Sequence, residues 1–193
     1  MRKALLFTLI LILSLSVLNF AFAESLEERY FDEGMGYFDN KDYSKAIESF
    51  SKVIEINDKN TEVYFYRGNV YYTLKQFDKA ILDYSTTTKL KPDHNITYNN
   101  RGNAYSSLKQ FDKAILDYST AIKLNPNFVS AYNNRGNTYR VLKQYDKAIL
   151  DFSTAIKLDP NVARAYYLRG QSYKELGNNE AAQKDFAMYE KLK

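Results

Sequence analysis

The sequence predicts an all-α fold, a right-handed superhelical solenoid built from five helix-turn-helix repeats. Five of the seven glycines and all three prolines recur on one 34-residue period, and apolar residues recur at helical spacing within it. A strict period of this length is typical of stacked, identical supersecondary units that bury their apolar edges against one another. The residues on this period are Gly34, Gly68, Gly102, Gly136, Gly170, Pro92, Pro126 and Pro160.

Each period is predicted to form a helical hairpin. In the second one, Tyr64, Gly68 and Tyr71 fall on one helical stripe, and Ala80 and Tyr84 fall on another. The small residues allow two helices to approach closely, while the aromatic rings fill the space around them. The repeat domain, residues 24–193, is therefore divided into repeats at residues 27–60, 61–94, 95–128, 129–162 and a shortened 163–193.

The recurring pattern resembles the tetratricopeptide repeat, in which a large residue, a glycine, a tyrosine, an alanine, an aromatic residue and a closing proline recur over 34 residues. The resemblance covers the chain after residue 26 and occurs five times. Two features depart from it. Arginine, or Glu33 in the first repeat, replaces the usual leucine before the periodic glycine, and Asp58 replaces the first closing proline.

The arginines before the periodic glycines are predicted to form ion pairs. Each precedes an aspartate by 16 residues, and in the first repeat both positions change together, to Glu33 and Ser49. A joint change indicates contact, because a half-buried arginine without its carboxylate is costly. The alternative is that these arginines bind an acidic ligand. The predicted pairs are Arg67 with Asp83, Arg101 with Asp117, Arg135 with Asp151, and Arg169 with Asp185.

Residues 1–23 are predicted to be a signal peptide. Two basic residues precede an uncharged run rich in leucine and isoleucine, and Ala21 and Ala23 have the spacing that signal peptidase recognises. Cleavage before Glu24 would give an exported protein, periplasmic or secreted. The alternative is an uncleaved membrane anchor formed by residues 4–23, which are numerous enough to span a bilayer. We expect contact with a membrane only in that case.

The composition argues against nucleic-acid binding and catalysis. Without residues 1–23 the chain has 25 basic and 23 acidic residues and no cysteine, and the lysines alternate with acidic residues. A nucleic-acid-binding protein would concentrate basic residues on one face. His94 is the only histidine, and the carboxylates recur at repeat spacing. We therefore expect no catalytic residue, no metal site, no cofactor and no nucleic-acid partner.

The resemblance implies a peptide-binding groove lined by the first helix of each repeat. In this groove Asn69, Asn103 and Asn137 form a series at repeat spacing, here called the asparagine ladder. A side-chain amide offers both a donor and an acceptor, so it matches a peptide bond whatever the peptide sequence. The alternative is that these asparagines recur only because the repeat was duplicated, and that water satisfies their amides. The predicted groove residues are Phe65, Asn69, Tyr72, Asn99, Asn103, Asn133, Asn137, Arg140 and Lys174.

The sequence thus predicts an exported, non-enzymatic interaction module that holds an extended segment of another protein. One alternative is a structural or oligomerisation factor of the cell envelope. It would dock through the aromatic end of the first repeat, formed by Tyr30, Phe31, Met35 and Phe38. Another is an enzyme accessory or glycan-binding protein that uses the tyrosine-rich surface. Self-association of the chain is compatible with each of these functions.

Overall fold

The computed structural model describes residue 22 and residues 26–193, which form only helices and turns. Each predicted repeat contributes two helices, so the predicted all-α repeat fold is confirmed. The helices are α1 (residues 26–39), α2 (Tyr43–Ile56), α3 (Thr61–Thr73), α4 (Phe77–Leu90), α5 (Asn95–Ser107), α6 (Phe111–Leu124), α7 (Val129–Val141), α8 (Tyr145–Leu158), α9 (Ala163–Glu175) and α10 (Asn179–Leu192).

The predicted signal peptide, residues 1–23, lies outside the described residues except for Phe22. The same is true of the alternative anchor at residues 4–23. Among the helices of the described part of the chain, none combines the length and the apolar character needed to cross a bilayer. Cleavage before Glu24 therefore stays a prediction.

The contacts divide the chain into two compact units, and the first contains residues 26–75 with α1, α2 and α3. Around its core, the rings of Phe31 and Tyr66 lie 6.0 and 6.3 Å from the ring of Phe50. The carboxylate of Glu27 accepts hydrogen bonds from Asn57 and Asn60, which attaches α1 to the turn between α2 and α3. The fully buried core residues of this unit are Ala46, Phe50, Val53, Val63 and Val70.

The second unit, Gln76–Lys193, contains α4 to α10. The first helices of its last three repeats form one layer, because α5 contacts α7 and α7 contacts α9. Within this unit α6 and α8 each pack against the first helices that precede and follow them, while α4 packs against α5 and α10 against α9. The core alternates small and aromatic side chains, and its fully or almost fully buried members include Ala114, Tyr118, Ala148, Phe152 and Ala165.

The periodic glycines lie where two helices approach each other closely. A Cβ atom at Gly102 would lie 2.7 Å from Cε1 of Tyr118, which is closer than real Cβ atoms come to a neighbour. By contrast, a Cβ at Gly36, which is off the period, would meet no atom within 4 Å. The predicted role of the glycine is thereby confirmed at Gly34, Gly102, Gly136 and Gly170.

The turn after the first helix uses one residue in the left-handed region. Four of these residues are lysines, with φ between 58° and 61°, and the fifth is Gly177, with φ of 78°. The left-handed region costs a side-chain-bearing residue about 1 kcal/mol, and only glycine adopts it freely. The last turn is therefore the least strained of the series. The lysines are Lys41, Lys75, Lys109 and Lys143.

Candidate functional site

Three of the four predicted ion pairs lie within the second unit, and all three are present. Arg101 donates from Nε to Oδ2 of Asp117 and from Nη2 to Oδ1, both at 2.8 Å. The two side chains are 16% and 6% exposed. The same two-bond geometry occurs in Arg135 with Asp151 and in Arg169 with Asp185. The pair of Arg67 with Asp83 stays a prediction.

Each of these arginines also contacts the preceding repeat. Its Nη1 donates to a serine hydroxyl 16 residues earlier, at distances of 2.9 to 3.1 Å. The serine recurs at repeat spacing and becomes Ala187 in the last repeat. Sequence reasoning missed this partner because it compared positions only within one repeat. The bonds run from Arg67 to Ser51, Arg101 to Ser85, Arg135 to Ser119, and Arg169 to Ser153.

The surroundings of these arginines keep them charged. The guanidinium of Arg135 lies 5.8 and 6.0 Å from the ring centroids of Tyr132 and Tyr139. Burial lowers the pKa of Arg101, but the hydrogen bond and charge of Asp117 outweigh it, so the pKa is raised overall. Because their guanidinium groups are engaged by aspartate and serine, the three arginines of the second unit act in the scaffold rather than in ligand binding.

The predicted groove residues of the second unit lie on the layer of first helices. Asn103 accepts a hydrogen bond at Oδ1 from the hydroxyl of Tyr118, at 2.8 Å. Asn137 accepts at Oδ1 from Nη2 of Arg140, at 3.0 Å. No described residue accepts a hydrogen bond from the Nδ2 group of either asparagine, so both offer oriented N–H donors. Asn99 and Asn103 lie on α5, Asn133, Asn137 and Arg140 on α7, and Lys174 on α9.

Asn99 has a different environment from the ladder asparagines. Only 5% of it is exposed, and its Oδ1 accepts a hydrogen bond from Asn134 at 3.0 Å, which joins α5 to α7. Asn133 is half-buried, and no described residue donates to its buried Oδ1 atom. The ligand-binding role of these amides stays a prediction. Their geometry separates Asn99, which lies in a helix interface, from Asn103 and Asn137, which present donors.

The groove residues of the first unit lie on α3. Phe65, Asn69 and Tyr72 are each half-buried, and the ring of Phe65 packs edge to face on Tyr66, with centroids 5.4 Å apart. The aromatic end considered for docking is also half-buried and packs against the core of this unit. Much of that apolar surface is therefore used within the unit. Its residues are Tyr30, Phe31, Met35 and Phe38.

Arg140 and Lys174 line a cleft of about 350 Å³ in the second unit. The hydroxyl of Tyr145 donates to Oε2 of Glu175 at 3.4 Å. Partial burial, followed by the charge of Glu175, raises the pKa of Tyr145, so this residue stays a neutral phenol. Sequence reasoning missed the contributions of α8 and α10 to this cleft. Its remaining lining residues are Tyr145, Tyr167, Gln171, Glu175 and Phe186.

The described residues contain no group of three or more histidine, aspartate or glutamate side chains placed to bind a metal ion. His94 lies at the start of α5, where its Nδ1 is 2.6 Å from Oγ1 of Thr97. This hydrogen bond holds the imidazole against the first turn of the helix.

Comparison with known protein families gives matches along most of the chain. Profiles described as "Tetratricopeptide repeat" match residues 96–128, 129–162 and 152–184. A profile described as "TPR repeat" matches residues 34–75 and 68–109. A search of curated proteins finds no match.

Several solved structures resemble this chain. A crystal structure of MamA has 26% identity and a TM-score of 0.81, with 86% of this chain and 91% of that chain covered. MamA from Desulfovibrio magneticus RS-1 has 18% identity and a TM-score of 0.81, covering 86% and 94%. YrrB, described as a TPR protein with an unusual peptide-binding site, has 21% identity and a TM-score of 0.74, covering 90% and 92%. The last two likenesses concern the fold alone.

Proposed function

Since the chain belongs to the tetratricopeptide repeat family, whose members bind other proteins, we propose that it binds an extended peptide segment of a partner protein. The binding surface is the layer formed by α5, α7 and α9. The observation that carries the proposal is that Asn103 and Asn137 occupy the same position in successive repeats and both present N–H donors that no described residue accepts.

The spacing of these donors suits an extended backbone. Neighbouring packed helices lie roughly 10 Å apart, and an extended peptide rises about 3.3 Å per residue. Donors on α5 and α7 would therefore meet the peptide backbone at points about three residues apart. Such contacts bind the main chain of the peptide rather than its side chains, so they allow many peptide sequences to bind.

Internal hydrogen bonds fix the orientation of both amides before a ligand arrives. The buried ring of Tyr118 holds Oδ1 of Asn103, and Arg140 holds Oδ1 of Asn137. A donor that is already oriented loses less conformational freedom on binding. This arrangement supports a binding role for the two asparagines. If they recurred only because the repeat was duplicated, water would satisfy their amides.

The peptide-binding function is tested by changing Asn103 and Asn137 to aspartate. Aspartate keeps the acceptor for Tyr118 and Arg140 but removes both N–H donors. Peptides are first selected from a synthetic library of N-acetylated, C-amidated decapeptides on the purified full-length chain. We expect the double variant to bind them at least tenfold more weakly, since each lost bond is worth about 0.5–1.5 kcal/mol. Fluorescence anisotropy measures the affinity, and the melting temperature should change little.

The matched control is Asn127→Asp, which adds the same charge in the exposed turn between α6 and α7. This control should bind the selected peptides like the wild type. An unchanged affinity in the double variant would mean that the two asparagines have no role in peptide binding. If no library peptide binds, the alternative of assembly through the aromatic first repeat becomes the better account, and sedimentation of the full-length chain would detect it.

We propose further that the protein is exported, with residues 1–23 as a cleaved signal peptide. The support is the apolar run followed by alanines at the spacing that signal peptidase recognises. N-terminal sequencing of the protein from cells is expected to begin at Glu24. Membrane-bound protein that retains residues 4–23 would instead indicate an anchored protein.

A further inference from the structure

We propose that the cleft of Arg140 and Lys174 is a subsite for an acidic side chain of the bound peptide. The protein would then select extended segments that carry aspartate or glutamate at one position. This inference rests on the proposed peptide-binding function. The cleft adjoins the same surface, because Arg140 is hydrogen-bonded to Asn137 of the asparagine ladder.

The charges of the cleft favour an anionic ligand. The arginines of the scaffold are each neutralised by an aspartate, but within the described residues neither Arg140 nor Lys174 forms an ion pair. Glu175 is the one carboxylate that lines the cleft, and it accepts a hydrogen bond from Tyr145. The lining therefore has one positive charge in excess, and a peptide carboxylate would compensate it with charge-assisted hydrogen bonds.

The donors of the cleft come from two helices and converge on one space. On α7, two bonds to Oδ1 of Asn137, at 3.0 and 3.3 Å, hold the guanidinium of Arg140. Its remaining N–H groups have no acceptor among the described residues. On α9, Gln171 and Lys174 are three residues apart and so lie on one face of the helix. Together the three side chains offer a guanidinium, an amide and an ammonium group to one ligand.

The walls of the cleft suit a side chain rather than a main chain. Tyr145 and Phe186 come from α8 and α10, so the cleft extends from the layer of first helices to the second helices. Side chains of an extended peptide alternate on its two sides, so one can enter this space while the backbone runs along the layer.

The test uses the same library of N-acetylated, C-amidated decapeptides, so no terminal carboxylate is present. The full-length wild type should enrich aspartate or glutamate at one position of the selected peptides. Replacing that residue by its amide should weaken binding about tenfold, as expected for the loss of a charge-assisted bond. Lys174→Gln should weaken binding of the acidic peptide to a similar degree and leave the binding of its amide analogue unchanged.

Charge reversal gives the sharpest comparison. Lys174 is exposed, so Lys174→Glu should fold normally and enrich lysine or arginine at the position where the wild type selects acids. Lys157→Glu, on the exposed face of α8, makes the same charge change away from the cleft and should keep the wild-type preference. Enriched peptides without an acidic preference, or a preference that Lys174→Glu leaves intact, would overturn the subsite but not peptide binding. Failure to enrich any peptide would overturn both.

Discussion

Replacing Arg101 by leucine is expected to lower the free energy of unfolding by about 3 kcal/mol, as is typical when one partner of a buried ion pair is removed. The loss is large because Asp117 is only 6% exposed and would be left buried without its counter-ion. The variant also loses the bonds from Arg101 to Ser85 and Thr88, which join it to the preceding repeat. Urea denaturation followed by circular dichroism measures the change.

The double variant Arg101→Leu, Asp117→Leu should recover much of this loss, because an apolar pair leaves no buried charge uncompensated. The four members of the cycle give the coupling energy directly. Additive effects within error would mean that the two side chains do not interact. Asp117→Leu alone is expected to cost about as much as Arg101→Leu, since it leaves a guanidinium half-buried without its carboxylate.

A second ion pair of similar length serves as the control for burial. Lys184 and Glu180 lie 2.7 Å apart on α10, but their side chains are 74% and 80% exposed. Such a pair contributes at most about 1 kcal/mol, because water screens it and the free side chains gain entropy. The equivalent cycle on this pair should therefore give a coupling near zero. Similar couplings for the two pairs would mean that burial is not the source of the effect.

The sequence predicted most of the scaffold because the scaffold repeats. Five copies show which positions change together, and the joint change in the first repeat identified the pairing that Arg101 and Asp117 display. The serine partner was also present in the sequence at the same period. It was missed because the bond from Arg101 to Ser85 crosses from one repeat to the next.

The candidate site could be predicted only in part, because identical motifs acquire different environments. Asn103 and Asn137 occur in the same local sequence, but Asn103 faces Tyr118, which donates to it, whereas the equivalent aromatic residue in the next repeat is Phe152. Lacking that hydroxyl, Asn137 accepts from Arg140 instead. Such differences depend on single substitutions elsewhere in the repeat, outside the local sequence around the asparagine.

The cleft was harder to predict than the ladder because its walls come from different helices. Arg140 and Lys174 were identified by their positions on the first helices. Tyr145 and Phe186 belong to second helices, which the resemblance assigns to packing. How far these rings leave an open space depends on helix packing in three dimensions. Periodicity alone carries no information about that space.

Replacing Gly102 by alanine is expected to destabilise the protein by about 1–3 kcal/mol, the usual cost of overpacking a core. The new Cβ would lie 2.7 Å from Cε1 and 2.9 Å from Cδ1 of Tyr118. The ring cannot move away freely, because it is buried and its hydroxyl is bonded to Asn103 at 2.8 Å. This cost outweighs the gain of about 1 kcal/mol that alanine brings to a helix interior.

Gly36→Ala makes the same chemical change without the clash, and the two variants should therefore have opposite signs. Gly36 lies in α1, and a Cβ atom at this position would meet no atom within 4 Å, so alanine there should raise the free energy of unfolding by about 0.5–1 kcal/mol. Urea denaturation measures the change in the free energy of unfolding for each variant. Because Gly36 and Gly102 belong to different compact units, amide hydrogen exchange should also be measured, to show whether the change in stability lies in α1 or in α5. If both alanine variants are more stable than the wild type, the ring of Tyr118 moves aside at little cost, and close helix packing does not require glycine at position 102. Opposite signs of the two stability changes would show that close helix packing requires glycine at this position of the 34-residue period, although alanine is the better helix former.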